Sequence, residues 1–312
     1  MLSRRSVRIK ALQLLYMLNR DTSLTYEDVA KLYDKKADDA YVIYVLHLYV
    51  LLKVAQVAEL DAAIRVAKYL PSEADRRFRP ILYDNPCTKS LANHVGFLKL
   101  STQFGHDKRL DTDQIRFLYN RFAEHAAYIE YLNLPDPQNA DHIRILQELY
   151  KFLLTQEVFI EITEDAFINW HDDESLVVGA VKKTLKAMPL EGPFYEDHLQ
   201  KDPSVKEFGA ELLRHTCFED VRLFNEIEPM LKNWDADRVA VLDMIMLKMA
   251  LAELLYCPTI PVKVTLNEYV EISKLYSSDK SKEFINGILD RLMKKLEKEG
   301  RIVKEGRGLM DN

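Results

Sequence analysis

PVKVTLNEYVEISKLY (residues 261–276) and SSDKSKEFINGILDRL (residues 277–292) are the segments that decide the fold of this chain. Apolar residues in them recur three and four positions apart, as Ile285, Ile288 and Leu292 do, and this is the spacing of a helix with one buried face. The Ser-Ser-Asp turn that opens the second segment can cap the helix that follows it. We therefore predict helices over about 262–276 and 279–298.

The rest of the chain carries the same helical signal. The first helix has Leu12, Leu15 and Tyr16 on one stripe, and a run without Gly or Pro from about residue 40 is ended by Pro71. Residues 71–110 contain several Pro and Gly, which predicts an irregular connection with short helices at most. We find no strand pattern, so the predicted class is all-α. Further helices are predicted at about 111–134, 142–160, 174–188, 203–217, 219–232 and 236–256.

The composition is that of a soluble globular protein, with 48% hydrophobic and 29% charged residues among 312. The three Cys residues are far apart, which predicts inert thiols in a reduced, cytoplasmic protein. The apolar run over 239–256 carries Asp243, Lys248 and Glu253, each of which would cost about 3 kcal/mol at a bilayer centre. We therefore predict a buried helix there and no membrane association.

No catalytic constellation stands out in the sequence. Gly is scarce, at nine residues, and the chain has no Gly-rich phosphate loop, nucleophile elbow or H-E-x-x-H motif. The cluster His171-Asp-Asp-Glu174 contains metal-ligand residue types, but no second cluster at ligand spacing accompanies it, which favours a solvated loop. We predict a protein that is not an enzyme and that has no cofactor and no metal site.

Charge is distributed unevenly along the chain. The formal net charge is −6, yet the first twenty residues contain cations and no acid. Such a cluster can bind phosphate through bidentate Arg contacts, or it can be a solvated terminus that binds nothing. The cations are Arg4, Arg5, Arg8, Lys10 and Arg20.

The two C-terminal segments resemble the closing part of the NusB family of bacterial transcription antitermination factors. The family pattern there is roughly V-P-x-K-V-x-x-N-E-x-x-E-x-[AS]-K, a short turn, then S-x-K-F-[VI]-N-G-[VI]-L-D. The opening residues Arg4–Tyr16 resemble the family's R-R-x-A-R…A-x-Q-x-L-Y, and Val241–Tyr256 is similar to V-D-x-A-I-L-[RK]-x-A-x-x-E-L-x-Y. The three matches occur in family order and fall within residues 1–20 and 202–298.

The resemblance implies a NusB-like helical bundle with an inserted helical subdomain. In the family the N-terminal helix docks against the C-terminal helices. The implied division of this chain is a basic arm and first helix at 1–21, a helical insertion at 22–195, a C-terminal helical bundle at 196–298 and a flexible tail at 299–312.

The resemblance also implies a function that consists of binding without chemistry. A member of this family would bind boxA-type single-stranded RNA in nascent ribosomal RNA together with NusE, a small-subunit ribosomal protein, and would join RNA polymerase to suppress termination. Two alternatives stay open. One is a protein-interaction scaffold or homodimer with the same fold that lacks RNA binding. The other is a fragment of an rRNA cytosine methyltransferase, whose α/β cofactor-binding domain has no counterpart in this sequence.

The residues implied for binding have alternative structural interpretations. Lys280 stands where the family often has an acid and Glu283 where many members have Lys, so either the charges have exchanged places or the RNA contact is altered. Phe284 is either a base-stacking ring or a core residue, and Asp243 either faces the protein partner or makes an internal contact. The implied RNA-binding residues are Arg4, Arg5, Arg8, Lys280, Lys282, Phe284 and Asn286, and the implied partner-facing residues are Tyr16, Asp237 and Asp243.

Gly287 is a local exception, because it lies inside a predicted helix. Gly costs about 1 kcal/mol there relative to Ala. We predict that close packing against a neighbouring helix is the reason, with close approach of a bound partner as the alternative.

Overall fold

The computed structural model describes residues 1–199, 202–231, 238–278 and 280–309, and its regular elements are helices. No strand occurs in these ranges, so the all-α prediction is confirmed. The described residues divide into two compact units. The central unit contains Met1 and the residues described between 39 and 200, and the terminal unit contains residues 2–38 and those described from 202 onward.

Besides two short 3-10 helices, the central unit contains ten α-helices within its described residues. They are α3 (Asp39–Val66), α4 (Glu73–Arg77), α5 (Pro86–Ala92), α6 (Val95–Gln103), α7 (His106–Arg109), α8 (Thr112–Ala123), α9 (Ala126–Leu132), α10 (Asn139–Leu153), α11 (Glu157–Glu164) and α12 (Glu174–Lys186). The long apolar α3 is buried along most of the stretch 40–58, and α8, α10 and α12 pack around it. The run that the sequence marks as helical from about residue 40 is therefore the core helix of this unit.

The core of the central unit includes a buried histidine. His47 on α3 is fully buried, and its Nδ1 lies 2.9 Å from the Tyr150 hydroxyl while its Nε2 lies 3.3 Å from Thr163 Oγ1. The rings of Phe159 and Trp170 pack against it. Both ring nitrogens are thus hydrogen-bonded, which is the condition for burying such a group at low cost.

Two predicted helices are each divided in the structure. The helix predicted at 111–134 becomes α8 and α9, because His125 is extended and its side chain accepts a hydrogen bond from the Ala127 amide at the start of α9. The helix predicted at 142–160 becomes α10 and α11, with the extended residue Gln156 between them. Neither His125 nor Gln156 is a residue type that marks a break, which is why the pattern runs through them.

One segment of the described chain is long and apolar enough to cross a membrane. It covers Tyr26–Val66, with a mean hydropathy of 1.7 in its most apolar window. However, 78% of that window is buried inside the protein, as is usual for the core helix of a globular unit.

The terminal unit is formed by both ends of the chain. Its helices are α1 (Arg4–Arg20), α2 (Tyr26–Ala37), α13 (Ser204–Phe218), α14 (Asp220–Ile227), α15 (Val241–Tyr256), α16 (Val262–Tyr276) and α17 (Ser281–Lys298). α15 is buried along most of its length, as its apolar sequence predicts. α1 packs against α13 and α15, and α16 packs against α15 and α17. The N-terminal helix is therefore docked onto the C-terminal helices.

The compact terminal unit reaches further along the chain than the expected boundary after residue 21. α2 belongs to it, since Val29 and Tyr33 are buried in the same core as α1. The Tyr33 hydroxyl donates a 2.8 Å hydrogen bond to the Lys206 carbonyl on α13. α2 thus packs against α1 and α13. The N-terminal segment of the terminal unit ends at Asp38.

The residues after α17 are fixed to the terminal unit as far as the structure describes them. The Glu305 amide donates to the Pro258 carbonyl at 3.0 Å, and Lys304 Nζ donates to the Cys257 carbonyl at 3.1 Å. Arg301 donates to Glu226 at 2.8 Å. The prediction of a flexible tail is therefore wrong for residues 301–309. The physical reason is that this segment supplies donors to the carbonyls at the C-terminal end of α15.

Two glycines inside helices have opposite surroundings. A Cβ added to Gly209 on α13 would lie 2.0 Å from the Tyr33 hydroxyl oxygen and 2.7 Å from Val7 Cβ. A Cβ added to Gly287 on α17 would meet no atom of the described chain within 4 Å. The predicted close packing at Gly287 is therefore wrong, and the close helix contact is at Gly209 instead.

This contrast predicts opposite effects for the same substitution. Gly209→Ala should destabilise the protein by about 1–3 kcal/mol, because α13 has to move away from Tyr33 and Val7. Gly287→Ala should instead stabilise it by about 0.5–1 kcal/mol through helix propensity. Urea unfolding followed by circular dichroism measures both variants. Equal effects for the two substitutions would contradict the packing described.

The central unit should lose stability in mild acid. Burial lowers the pKa of His47 to about 3 and that of His106 to about 4. The unfolded chain binds these protons near pH 6.5, so stability is lost as the pH falls from about 6.5 towards those values. At pH 5 each histidine then costs about 2 kcal/mol relative to pH 7.

The measurement is urea unfolding at pH 7 and pH 5 in a Trp234→Phe background, where Trp170 reports on the central unit. His47→Gln, compared with the same background, should reduce the loss between the two pH values by about 2 kcal/mol. An unchanged loss would show that His47 titrates normally in the folded state.

Candidate nucleic-acid interface

The N-terminal cations are positioned by the cap of α1. Ser3 and Ser6 form a reciprocal capping box, which places Arg4 and Arg5 in the first turn of the helix. Positive charge at this end opposes the helix dipole, so the placement gives α1 no stability. Arg4 is partly exposed and has no ion-pair partner among the described residues.

Arg5 is exposed but already engaged. Its side chain is 47% exposed, and its Nε and Nη2 donate to the two carboxylate oxygens of Glu268 at 2.9 and 2.8 Å. The hydrogen bonds from Arg5 lower the pKa of Glu268. A phosphate that bound Arg5 would therefore have to replace a carboxylate in the same bidentate geometry.

Arg8 does not belong to the surface. It is 1% exposed, and its Nε and Nη2 donate to the carboxylate of Glu253 on α15 at 2.7 and 2.6 Å. The prediction that Arg8 contacts RNA is therefore wrong. Arg8 lies four residues before Leu12 and seven before Leu15, so it shares their buried stripe. Glu253, a charge within an apolar helix, was the sequence signal that a buried cation had to meet it.

We call the set of Arg8, Glu253, Thr265 and Tyr269 the Glu253 cluster. Thr265 Oγ1 donates to the Glu253 carboxylate at 2.8 Å, and the Tyr269 hydroxyl donates to it at 3.2 Å. All four side chains are buried. Burial acts to lower the pKa of Arg8, but the hydrogen bonds and charge of Glu253 outweigh it and the net pKa is raised. The cluster joins α1, α15 and α16, because one residue from each of α1 and α15 and two from α16 meet at the Glu253 carboxylate.

The start of α17 presents the second group of expected RNA ligands. Lys280, Lys282 and Asn286 are exposed. Phe284 is partly buried and packs against the core of the terminal unit, so part of its ring has a structural role and part faces outward. Glu283 is exposed beside them. Asp279, the last residue of the turn expected to cap this helix, lies outside the described residues.

Asp243 fixes the turn that leads into α17. It is 5% exposed, and its two carboxylate oxygens accept hydrogen bonds from Ser277 Oγ at 2.5 Å and Ser281 Oγ at 2.7 Å. A carboxylate so enclosed does not face a protein partner, which corrects that expectation in favour of the internal contact. Asp243 instead ties α15 to the segment that carries Lys280 and Lys282.

The other expected partner-facing residues are less constrained. Tyr16 is partly buried, and the Arg20 guanidinium lies 5.7 Å from the centre of its ring. Asp237 lies outside the described residues. The assignment of both to a protein partner stays a prediction.

Arg5 on α1 pairs with Glu268 on α16, and α16 packs against α17, which carries Lys282. The pKa of Glu271 on α16 is lowered by a hydrogen bond from Lys274 and further by the charges of Arg5 and Lys282. Lys274 and Glu271 form an ion pair along α16. We call the surface formed by Arg4, Arg5, Lys280, Lys282 and Phe284 the candidate RNA surface. The acids Glu268 and Glu271 interrupt its positive charge.

Asp243 supplies a test of how this surface is held. Asp243→Asn should destabilise the protein by about 1–3 kcal/mol, because two charge-assisted hydrogen bonds are weakened in a buried place. Asp290→Asn is the matched control, since Asp290 pairs with Lys294 on the exposed side of α17. Thermal unfolding measures both, and equal effects of the two substitutions would contradict the anchoring role of Asp243.

Comparison with known proteins finds similarity to one protein family. A sequence profile described as "NusB family" matches residues 161–294. "Transcription antitermination protein NusB" of Salinibacter ruber is 38% identical over 112 residues, which is 36% of this chain and 70% of that protein. The protein of the same name from Chloroherpeton thalassium is 46% identical over 110 residues, 35% of this chain and 52% of its own length.

Among solved structures, T. maritima NusB is 34% identical, with 33% of this chain and 73% of that chain covered and a TM-score of 0.29. The chain thus spans from about half to 70% of the two curated relatives. NusB family proteins are antitermination factors and not enzymes. The resemblance seen in the sequence is confirmed: the chain belongs to the NusB family.

Proposed function

We propose that this protein is an antitermination factor that binds boxA-type single-stranded RNA in nascent ribosomal RNA together with NusE and joins RNA polymerase to suppress termination. The names of its relatives support the antitermination role. The observation that supports the RNA assignment is the candidate RNA surface, where Arg5 of α1 pairs with α16 and exposed lysines stand at the start of α17, which packs against α16.

The surface fits a single-stranded ligand. Arg4, Lys280 and Lys282 are partly or fully exposed and can each meet a phosphate. The outward part of the Phe284 ring can stack on an unpaired base, and Asn286 beside it can donate and accept hydrogen bonds on a base edge. Contacts of this kind combine a salt-dependent backbone term with a stacking term that salt hardly changes.

Binding would require an exchange of partners at Arg5. Its guanidinium is held by Glu268, so a phosphate gains only the difference between two charge-assisted pairs. Glu268 therefore acts as a competitor that weakens non-specific phosphate binding. RNA that also satisfies Lys282 and Phe284 would shift this balance.

A groove beside Tyr16 is the place we propose for the NusE contact. It has a volume of about 330 Å³ and lies between the end of α1 and helices α13 to α15. Leu18, Val241 and Met244 line it, and the Lys248–Asp220 ion pair lies at its edge at 2.6 Å. An apolar floor with a charged edge is typical of a protein-protein contact.

The interaction-scaffold alternative is favoured by one observation. Glu268, Glu271 and Glu283 lie on or beside the candidate RNA surface, and Glu268 already neutralises Arg5 there. A surface neutralised internally would not attract RNA. The two functions therefore differ in what happens when a carboxylate is removed.

Two variants with opposite expected effects on RNA affinity test the RNA assignment. Removing cations with Arg4→Ala, Arg5→Ala and Lys282→Ala together should make the slope of log K against log salt shallower by roughly 0.7 per lost phosphate contact. Glu268→Gln should tighten binding, because it frees Arg5. The measurement is fluorescence anisotropy of a labelled boxA leader RNA, with and without NusE, across a salt series.

Lys31→Ala combined with Lys35→Ala is the control, since both residues are exposed on α2. It should leave the slope unchanged. Phe284→Ala should weaken binding by about 1–3 kcal/mol at the same slope, provided that circular dichroism shows the variant folded. If the cation and Glu268 variants all bind the leader RNA as wild type does, the scaffold alternative is the better account.

A further inference from the structure

The end of α3 and the helix that follows it form an exposed basic tip on the central unit. We define the basic tip as residues 64–79, which contain five Arg or Lys and two acids on a chain whose net charge is −6. These residues lie outside the stretch matched by the family profile, 161–294, and outside the segments whose sequence resembles the family.

The basic tip is held together by internal contacts. Asp75 on α4 is buried and accepts hydrogen bonds from Lys68 Nζ at 2.7 Å and from the Ser72 hydroxyl at 2.7 Å. The Arg65 guanidinium lies 4.2 Å from the centre of the Phe78 ring. These contacts fold α4 back onto the end of α3, so the side chains around them are held in place before any ligand arrives.

Four large apolar side chains at this tip are exposed, Ile64 at 56% and three others at more than 70%. Tyr69 is 97% exposed, Leu70 83% and Val66 72%. Single exposed apolar residues are ordinary, but three within five positions form a patch of the kind that marks a contact site. None of them is needed for the core of the central unit.

The five cations of the tip fall into three groups, of which one is Arg77, paired with Glu73 on the exposed side of α4. Arg65 and Lys68 stabilise the end of α3 through the helix dipole and through Asp61 and Asp75, so they have a structural reason. Arg76 and Arg79 are exposed and have no ion-pair partner among the residues that the structure describes. Their charges point to an anionic ligand beside the apolar patch.

We propose that the basic tip is a second site for single-stranded RNA, used by the central unit. Arg76 and Arg79 would contact phosphates, and Tyr69 would stack on an unpaired base. An exposed aromatic ring and unpaired Arg residues within one short segment are the residue types that sequence-tolerant single-strand binding uses. The choice of RNA over another anion rests on the proposed function, in which a nascent transcript is already bound by the terminal unit.

The experiment uses the full chain and labelled U30, a single-stranded RNA without a boxA sequence, over a salt series. Arg76→Ala with Arg79→Ala should make the salt slope shallower by about 1.4. Tyr69→Ala should weaken binding roughly 5- to 150-fold with the slope unchanged. Arg121→Ala with Arg144→Ala is the matched control, because both residues are exposed in the same unit, and it should bind like wild type.

The outcomes separate this site from the candidate RNA surface. If the tip variants weaken U30 binding and the Arg4, Arg5, Lys282 variant does not alter boxA binding, the tip stands and the proposed function falls. If the tip variants bind U30 at the wild-type slope and affinity, the second site is overturned whatever the boxA result. If the tip variants bind U30 as wild type does but no longer sediment with phosphatidylserine vesicles, the second RNA site is also overturned, in favour of a membrane contact.

Discussion

The terminal unit depends on one buried ion pair. Arg8 and Glu253 are both shielded from water, and burial of two such charges is tolerated only when every hydrogen-bonding site is used. The carboxylate of Glu253 accepts from Arg8 twice, from Thr265 and from Tyr269, so this condition is met. Because the four residues come from α1, α15 and α16, the pairing fixes the N-terminal helix on the C-terminal bundle although more than 200 residues separate them in sequence.

That constraint decides which cations face the solvent. With Arg8 held inward, the geometry of α1 leaves Arg4 and Arg5 at the outer end of the helix, next to α16. Asp243 does the equivalent for α17 by holding Ser277 and Ser281, which sets where Lys280 and Lys282 emerge. The charges inside the apolar α15 thus act as anchors, and the candidate RNA surface is a consequence of where they hold the neighbouring helices.

Much of the fold could be predicted from periodicity and from the family pattern, because helices with one apolar face and strong end signals are encoded locally. The docking of the first helix and the all-α class follow from this. The breaks at His125 and Gln156 could not be foreseen, since capping there depends on conformation and not on a breaker residue. The role of Arg8 does not follow from its charge alone, because its position on the helix stripe decides whether it is buried. Arg8 shares a stripe with Leu12 and Leu15, and its partner lies far along the chain.

The most direct test of this account is a double-mutant cycle on the Glu253 cluster. Arg8→Met, Glu253→Gln and the double variant would be compared by urea unfolding followed by circular dichroism. Arg8→Met leaves the buried Glu253 carboxylate without a cation, and Glu253→Gln leaves Arg8 with only Glu268 at 3.9 Å, so each should lose about 3–5 kcal/mol. The double variant should lose less than the sum of the two, by about 1–3 kcal/mol. Losses that simply add, within about 0.5 kcal/mol, would show that Arg8 and Glu253 do not hold the unit together through each other.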